Sequence, residues 1–331
     1  MSIPGHYWTI APLAAHLAAT RIARRPGAPP AVHWSASVGR ETFGEVRLGG
    51  LLRQSESHAP QRRALLIVIH GLGGNNLSHY VLPAARAADE LELSCLRLNL
   101  RGVAGAADDF YHAGLWQDLA AVVASDTLAD YTDIYLLGYS MGGHVALRYA
   151  TEQIDPRVRA VAAICSPLDL DRSAAAIDRP ARWVYRHHVL MSLKRMVAPL
   201  VERRGLPIAI SDLMRIKALR QWDERVIAPR HGFDSAEDYY AKASVAPRLR
   251  LLERPALLVE SEADPMVTPN AVRPSLENPP ALLDVHWTAR GGHVGFPKTL
   301  DLGERAPLGL ERQVLAWLLR KGREAAPTSV S

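Results

Sequence analysis

Gly138-Tyr139-Ser140-Met141-Gly142-Gly143 places a serine between glycines two residues to either side. In a turn tight enough to exclude side chains at those two positions, the serine hydroxyl is held outward. A helix opening directly behind it would aim its positive end at any negative charge that develops there. The apolar run Ile134–Leu137 precedes the motif and a helix-like stretch, Gly142–Glu152, follows it. That strand–turn–helix setting favours a nucleophile elbow over a glycine-rich turn with an incidental serine. The chemistry implied is attack on a carbonyl carbon with formation of an acyl-enzyme.

A serine hydroxyl is a weak nucleophile and needs a base, which needs an orienting acid. His293 lies in Arg290-Gly291-Gly292-His293-Val294-Gly295-Phe296, just past the strand-like Leu283–Thr288. Asp264 lies in Ser261-Glu262-Ala263-Asp264-Pro265, just past the apolar Ala256–Val259. Both fall at carboxyl ends of strands, the edge where open α/β sheets bind ligands. Glu262 and Asp169 are rival acids; Asp264 is preferred because its carboxylate must reach over the loop and Pro265 stiffens the turn behind it. Two oxyanion donors are expected, the main-chain N–H of Met141 and that of Leu72 in His70-Gly71-Leu72-Gly73-Gly74-Asn75-Asn76. His70 reads as a packed residue that holds this loop.

Other candidates carry less. His187-His188 has no carboxylate or third histidine at ligand spacing, so it reads as helix surface and no metal is expected. His144 is expected to pack or to be solvated. Trp183, Tyr185, Met191, Met196 and Met214 fit a core, with an acyl-chain channel as the alternative. No G-x-G-x-x-G follows a strand and no Walker sequence occurs, so no cofactor is implied.

The elements that must position these groups alternate. Ala64–Ile69, Leu93–Leu98, Ile134–Leu137, Val158–Ile164 and Ala256–Val259 are continuous or nearly continuous apolar runs, as in strands covered on both faces. Tyr80–Glu90, Leu115–Ala124, Gly142–Glu152, Pro269–Leu276 and Leu310–Arg320 read as helices between and after them. The pattern predicts a doubly wound α/β fold with a mostly parallel sheet, preceded by an antiparallel strand over Thr42–Leu48. About ninety residues separate Ile164 from Ala256, where a crossover needs only a dozen or so. The excess, with helical stretches at Trp183–Val197, Ser211–Arg220 and Ala236–Ala243, reads as an insertion between the sixth and seventh strands. The expected division is an N-terminal segment over 1–40 packing on the core, a core over 41–169, a helical lid over 170–250, the rest of the core over 251–322 and a flexible tail over 323–331. Arg24–Pro30 reads as a loop.

The chain has 331 residues, 48 % of them hydrophobic and 22 % charged, with a formal net charge of +5. Those values suit a globular protein with a large core. Between Asp171 and Arg230 stand eleven Arg and two Lys against six acidic residues, so this segment alone exceeds the chain's net charge. A solvated helical surface explains that excess; weak association with anionic lipid surfaces is the sharper alternative. No recognition-helix, RNP or zinc-finger pattern surrounds it, so nucleic acid is not an expected partner. Cys95 and Cys165 do not make a disulfide framework, which fits a reducing, cytoplasmic setting. No run reaches the length of a transmembrane segment, and the apolar Trp8–Thr20 is followed, not preceded, by basic residues, the wrong order for a secretory signal.

The chain resembles the YheT-like branch of the α/β-hydrolases, relatives of the abhydrolase-domain esterases and phospholipases. The likeness runs from Gly5-His6-Tyr7-Trp8-Thr9-Ile10-Ala11-Pro12 to Gly295-Phe296. It is most specific at His70–Gly74, Asn99-Leu100-Arg101-Gly102, Tyr111-His112-Ala113-Gly114, Gly138–Gly143, Gly232-Phe233-Asp234 leading into Asp238-Tyr239-Tyr240, and Gly291–Phe296. The resemblance implies an α/β-hydrolase fold, Ser140 as nucleophile, Asp264 as acid, His293 as base and the insertion as a lid over the site. Val103, Ala104 and Ala113 depart from the family pattern near the loop that faces the lid. The expected function is a serine-dependent carboxylic ester hydrolase acting on small esters with an apolar acyl chain; acyl transfer by the same triad, or a non-catalytic binding protein on this fold, are the alternatives.

Overall fold

A computed structural model describes residues 3–21, 30–41, 44–55, 63–103, 109–204, 206 and 208–324. Eight strands form one sheet: β1 (Val32–Glu41), β2 (Gly44–Arg53), β3 (Ala64–Ile69), β4 (Ser94–Asn99), β5 (Asp133–Tyr139), β6 (Val158–Ile164), β7 (Ala256–Ser261) and β8 (Leu283–Thr288). Their spatial order is β1-β2-β4-β3-β5-β6-β7-β8. β2 pairs antiparallel with both β1 and β4, and every pair from β4 to β8 is parallel.

The continuous apolar runs follow from burial on both faces. Along β3, Leu65, Ile67 and Ile69 enter one core, and Leu66 and Val68 enter the other. Helices α1 (Ile3–Arg21), α2 (Val81–Glu90), α3 (Trp116–Val123) and α4 (Met141–Ala150) come first in the chain. Val122 of α3 and Val145 of α4 pack into the first core. Val81 and Ala84 of α2 pack into the second. Even Ser94 and Arg97, which interrupt the apolar run of β4, are buried.

The insertion between β6 and β7 is helical: α5 (Leu170–Ile177), α6 (Trp183–Arg204), α7 (Ile210–Arg215), α8 (Leu219–Trp222), α9 (Ala228–His231) and α10 (Ala236–Ala243). Helices α11 (Pro269–Val272) and α12 (Leu310–Glu324) follow β7 and β8. The single helix expected over Ser211–Arg220 is broken. Lys194 Nζ donates to Met214 O at 2.9 Å and to Ile216 O at 2.7 Å, taking carbonyls that a continuing helix would use. Asp178 then starts α8 afresh, accepting from Leu219 N at 2.7 Å and Arg220 N at 3.0 Å. β1 is a strand the sequence reading did not anticipate. The expected loop Arg24–Pro30 (except Pro30), Ala104, and the tail from Ala325 lie outside the described residues, whereas Arg323 and Glu324 close α12.

Candidate active site

Ser140 sits between β5 and α4 with φ 52° and ψ −122°, a left-handed conformation that costs a non-glycine residue energy. A Cβ on Gly138 would lie 2.3 Å from Gly142 O, and one on Gly142 would lie 2.4 Å from Ile69 O. The chain can make this turn only with glycine at both places. Ser140 N donates to Ile164 O at 2.7 Å, fixing the turn to the end of β6.

His293 Nε2 lies 3.0 Å from Ser140 Oγ. His293 Nδ1 lies 2.9 Å from Asp264 Oδ2. With its Nδ1–H directed at the carboxylate, a neutral imidazole keeps its lone pair on Nε2, facing the serine hydroxyl. The second oxygen of Asp264 accepts from Met266 N at 2.7 Å and Val267 N at 3.0 Å, which locks the carboxylate plane. The rivals serve elsewhere. Glu262 is ion-paired with Arg273, and Asp169 caps α5, accepting from Arg172 N at 3.0 Å.

The first helix braces this arrangement, a role the sequence reading missed. Thr9 Oγ1 accepts from His293 N at 2.8 Å and donates to Gly5 O at 2.8 Å. A Cβ on Gly5 would lie 1.9 Å from Ala263 O and one on Gly295 would lie 2.1 Å from Trp8 O. Backbone therefore meets backbone along α1, which touches the acid loop and the histidine loop together. His6 Nδ1 reaches the hydroxyl of Tyr185 on α6, tying α1 to the lid.

Two further groups behind the site were also missed. Cys165 Sγ, Asp264 and His293 lie within 4.8 Å of one another through their polar atoms. The thiol donates to Gly292 O at 3.5 Å and accepts from Val294 N at 3.4 Å. Burial, with the nearby carboxyls of Asp264 and Glu260, pushes this thiol well above its ordinary pKa, so it stays protonated. Glu260, the fifth residue of β7, accepts from Ser166 N at 2.8 Å. Burial first, then Asp264, raises its pKa well above the carboxylate range. Both belong to apolar strand ends, where their type gives no sign of what they face. Ser140, Cys165 and Val294 are left-handed at φ 52°, 49° and 55°, so three of the non-glycine residues in this conformation meet at one place.

The loop after β3 is held by side chains. His70 Nδ1 donates to Gly71 O at 2.8 Å, and His70 Nε2 accepts from Leu100 N at 3.1 Å. Burial lowers its pKa to about 4, so it is a neutral strut, as its sequence context suggested. Tyr80 Oη accepts from Gly71 N at 3.1 Å and Tyr111 Oη from Gly73 N at 2.7 Å. Asn99 Oδ1 accepts from Asn76 N at 2.8 Å. The main-chain N–H groups of Leu72 and Met141 have no hydrogen-bond partner among the described residues. Both residues line the same cavity as Ser140.

That cavity measures about 730 Å³. Its floor is Ser140, His293 and the loop after β3; its roof comes from α5, α6, α8 and α10 of the lid, and Thr9, Ile10 and Leu13 of α1 form one side. Of the loose aromatic and methionine set, Tyr185 and Met196 face the cavity, while Trp183 and Met214 are exposed. His187 is exposed, and His188 is exposed at the cavity rim. His144 is buried, its ring nitrogens 2.7 Å from Pro167 O and 3.0 Å from Ala243 O. No Lys or Arg lines the cavity among the described residues. Several of the lid's basic groups are turned to structural work: Arg182 Nε donates to Pro265 O at 2.8 Å, Arg186 to Asp178 O at 2.7 Å, and Arg230 pairs with Asp109 at 2.9 Å.

A strained serine elbow on a mostly parallel sheet, with a histidine and an acid in the loops that follow later strands, defines a class. The α/β hydrolase family is matched over residues 66–299, and the chain belongs to it. It is 29 % identical over 243 residues to the putative esterase YheT of Escherichia coli, covering 71 % of each chain. It is 28 % identical over 247 residues to the phospholipase ABHD3 of Mus musculus, covering 71 % of this chain and 58 % of that one. Among solved structures, a proline iminopeptidase of Mycobacterium smegmatis superposes with a TM-score of 0.53 at 21 % identity, over 88 % of this chain and 100 % of the other. A peptidase on the same framework shows that the fold alone does not choose the substrate. Among the described residues, no helix is long and apolar enough to cross a membrane.

Proposed function

We propose that the protein is a carboxylic ester hydrolase that works through an acyl-enzyme on Ser140. The observation that carries this reading is the hydrogen-bonded chain from Ser140 Oγ through His293 to Asp264, opening into an apolar-walled cavity. His293 Nε2 takes the Ser140 proton as Oγ attacks the ester carbonyl. The oxyanion is met by the N–H groups of Leu72 and Met141. Collapse of the tetrahedral species expels the alcohol, which receives the proton from His293; water then attacks the acyl group by the same route and frees Ser140. Asp264 holds the imidazole tautomer and stabilises its transient charge.

The substrate class in this reading is a small ester with an apolar acyl chain. The relatives described as an esterase and a phospholipase support it, as does the cavity wall of Leu170, Ile177, Val189, Leu193, Met196 and Ile227. A weak attraction to anionic lipid surfaces is part of the proposal, supported by the exposed Trp183 and Val184 beside the exposed Arg179. A reducing, cytoplasmic setting is supported by two buried cysteines that form no disulfide. Fluorophosphonate labelling read by intact mass tests the reading: one adduct on the wild type and none on Ser140→Ala is expected, and an adduct on both would refute it.

A further inference from the structure

Among the described residues that line the cavity, Asp223 alone bears a carboxyl group. It lies on the lid, directly after α8, at the start of a π-helical turn over Asp223–Ile227. Such turns rotate side chains out of the ordinary helical pattern and recur at functional sites. The side chain is buried among apolar and aromatic neighbours, and its Oδ2 accepts from Tyr240 Oη at 2.7 Å. Trp222, Ile227, Tyr239 and Tyr240 line the cavity beside it. Outside, the Arg220 guanidinium lies 5.2 Å from the Tyr240 ring centre and is ion-paired with Asp171 and Glu237, so it does not neutralise Asp223 by direct contact.

A carboxyl group in an apolar wall costs stability unless its polar atoms are partnered. Tyr240 supplies one partner. Among the described residues, no cation lines the cavity to supply another, and the proposed chemistry at Ser140 does not use this group. We propose that Asp223 and Tyr240 form a subsite for a hydroxyl group of the substrate, so that the preferred esters carry a free hydroxyl as well as an apolar chain. This rests on the ester-hydrolase reading and deepens it. A neutral partner suits the group, because burial raises the carboxyl to a pKa of about 7 despite the Tyr240 hydrogen bond. A hydroxyl can accept from the protonated form and donate to the ionised one, whereas a cation would demand the charged state throughout. The hydroxyl can come from the leaving alcohol, as in a glycerol monoester, or from the acyl chain.

The test compares kcat/KM for methyl decanoate, methyl ω-hydroxydecanoate, monodecanoylglycerol and decanoylcholine. The variant is Asp223→Leu combined with Tyr240→Phe, which removes both polar partners and leaves neither orphaned. The ratio of one hydroxyl-bearing ester to methyl decanoate should fall about tenfold or more, and the ester affected shows where the hydroxyl resides. Asp223→Asn, closest in shape to the native residue, keeps the test open if the double variant does not fold; its ratio should fall at least about threefold. An equal loss on all four esters, or no change in any ratio, overturns the subsite. A loss confined to the choline ester overturns it in favour of a cation site. Fluorophosphonate labelling of the wild type separates the two failures: a labelled enzyme with unchanged ratios loses only the subsite, whereas an unlabelled wild type loses the ester-hydrolase reading itself.

Discussion

The floor and the roof of the cavity are built by different means. On the floor, Ser140, Asp264 and His293 stand on loops at the ends of three strands, fixed mainly by main-chain hydrogen bonds and close glycine contacts, while Thr9 braces His293 and a few side chains hold the loop after β3. In the roof, side chains set the geometry: Lys194 breaks a helix, Asp178 starts another, and Arg182 ties the lid to the carbonyl of Pro265. A group held by backbone keeps its place through most substitutions around it. A roof held by side chains can be re-lined residue by residue. In the proposed reading the floor carries the reaction, and the roof is free to carry the choice of substrate.

The sharpest test of this division is at the nucleophile. Ser140→Ala should lower ester hydrolysis by roughly 10⁴-fold or more while leaving the thermal midpoint near that of the wild type. A loss of only a few-fold would mean that the floor's geometry does not drive the reaction. Asp264→Asn ranks next, with a loss in kcat of about 10³–10⁴ at little cost in KM, because an amide cannot orient the imidazole as the carboxylate does. Glu262→Gln and Asp169→Asn should each cost less than about threefold, since one is engaged with Arg273 and the other caps α5. Should either of these match the Asp264 variant, the assignment of the acid fails.

The same division decides what was legible in the sequence. The floor could be read because its physics leaves few alternatives: a serine elbow demands Gly138 and Gly142, and strands buried on both faces demand unbroken apolar runs. The brace from α1 was not legible, because a threonine hydroxyl reaching His293 N across most of the chain leaves no local pattern. β1 was missed because its inward side is only Trp34, Ala36 and the partly buried Val38, set among serines and a glycine. In the roof, length and helical character were readable, but the break at Ile216 depends on a lysine twenty-two residues earlier. The positive excess of the lid was readable as a total. Its direction, away from the cavity, depends on which carbonyls and carboxylates each arginine meets.

A smaller effect is expected from the buried acid of the roof. Asp223 has its pKa raised to about 7 by burial, above its value in the unfolded chain. Its contribution to stability is therefore full below the unfolded value near 4, and is lost as pH rises through about 7. The buried His70 and the partly buried His231, whose pKa values desolvation lowers to about 4, act in the opposite sense as pH is lowered. Comparing variant with wild type removes these shared terms. Relative to wild type, Asp223→Asn should gain about 2–4 kcal/mol in urea unfolding between pH 5 and pH 8. A difference that stays flat across this range would show that the carboxyl is not held in a desolvated wall.

The smallest effect concerns the outer face of the roof. Arg220 is engaged by Asp171 and Glu237, and Arg215 by Asp212, so the excess of basic residues overstates the charge open to a partner. Arg179 is exposed, two turns or less from the exposed Trp183 and Val184. A basic residue at an anionic lipid surface contributes about 1 kcal/mol, and the attraction decays within a Debye length of about 8–10 Å near physiological salt. Arg179→Gln should therefore weaken co-sedimentation with phosphatidylglycerol vesicles about fivefold at low salt and by much less near 1 M. Binding to phosphatidylcholine vesicles should change little, and so should turnover of a short soluble p-nitrophenyl ester, because Arg179 does not line the cavity. If wild-type binding is the same on both kinds of vesicle and insensitive to salt, the basic face of the lid has no part in lipid association, and the roof acts only through the side chains it turns inward.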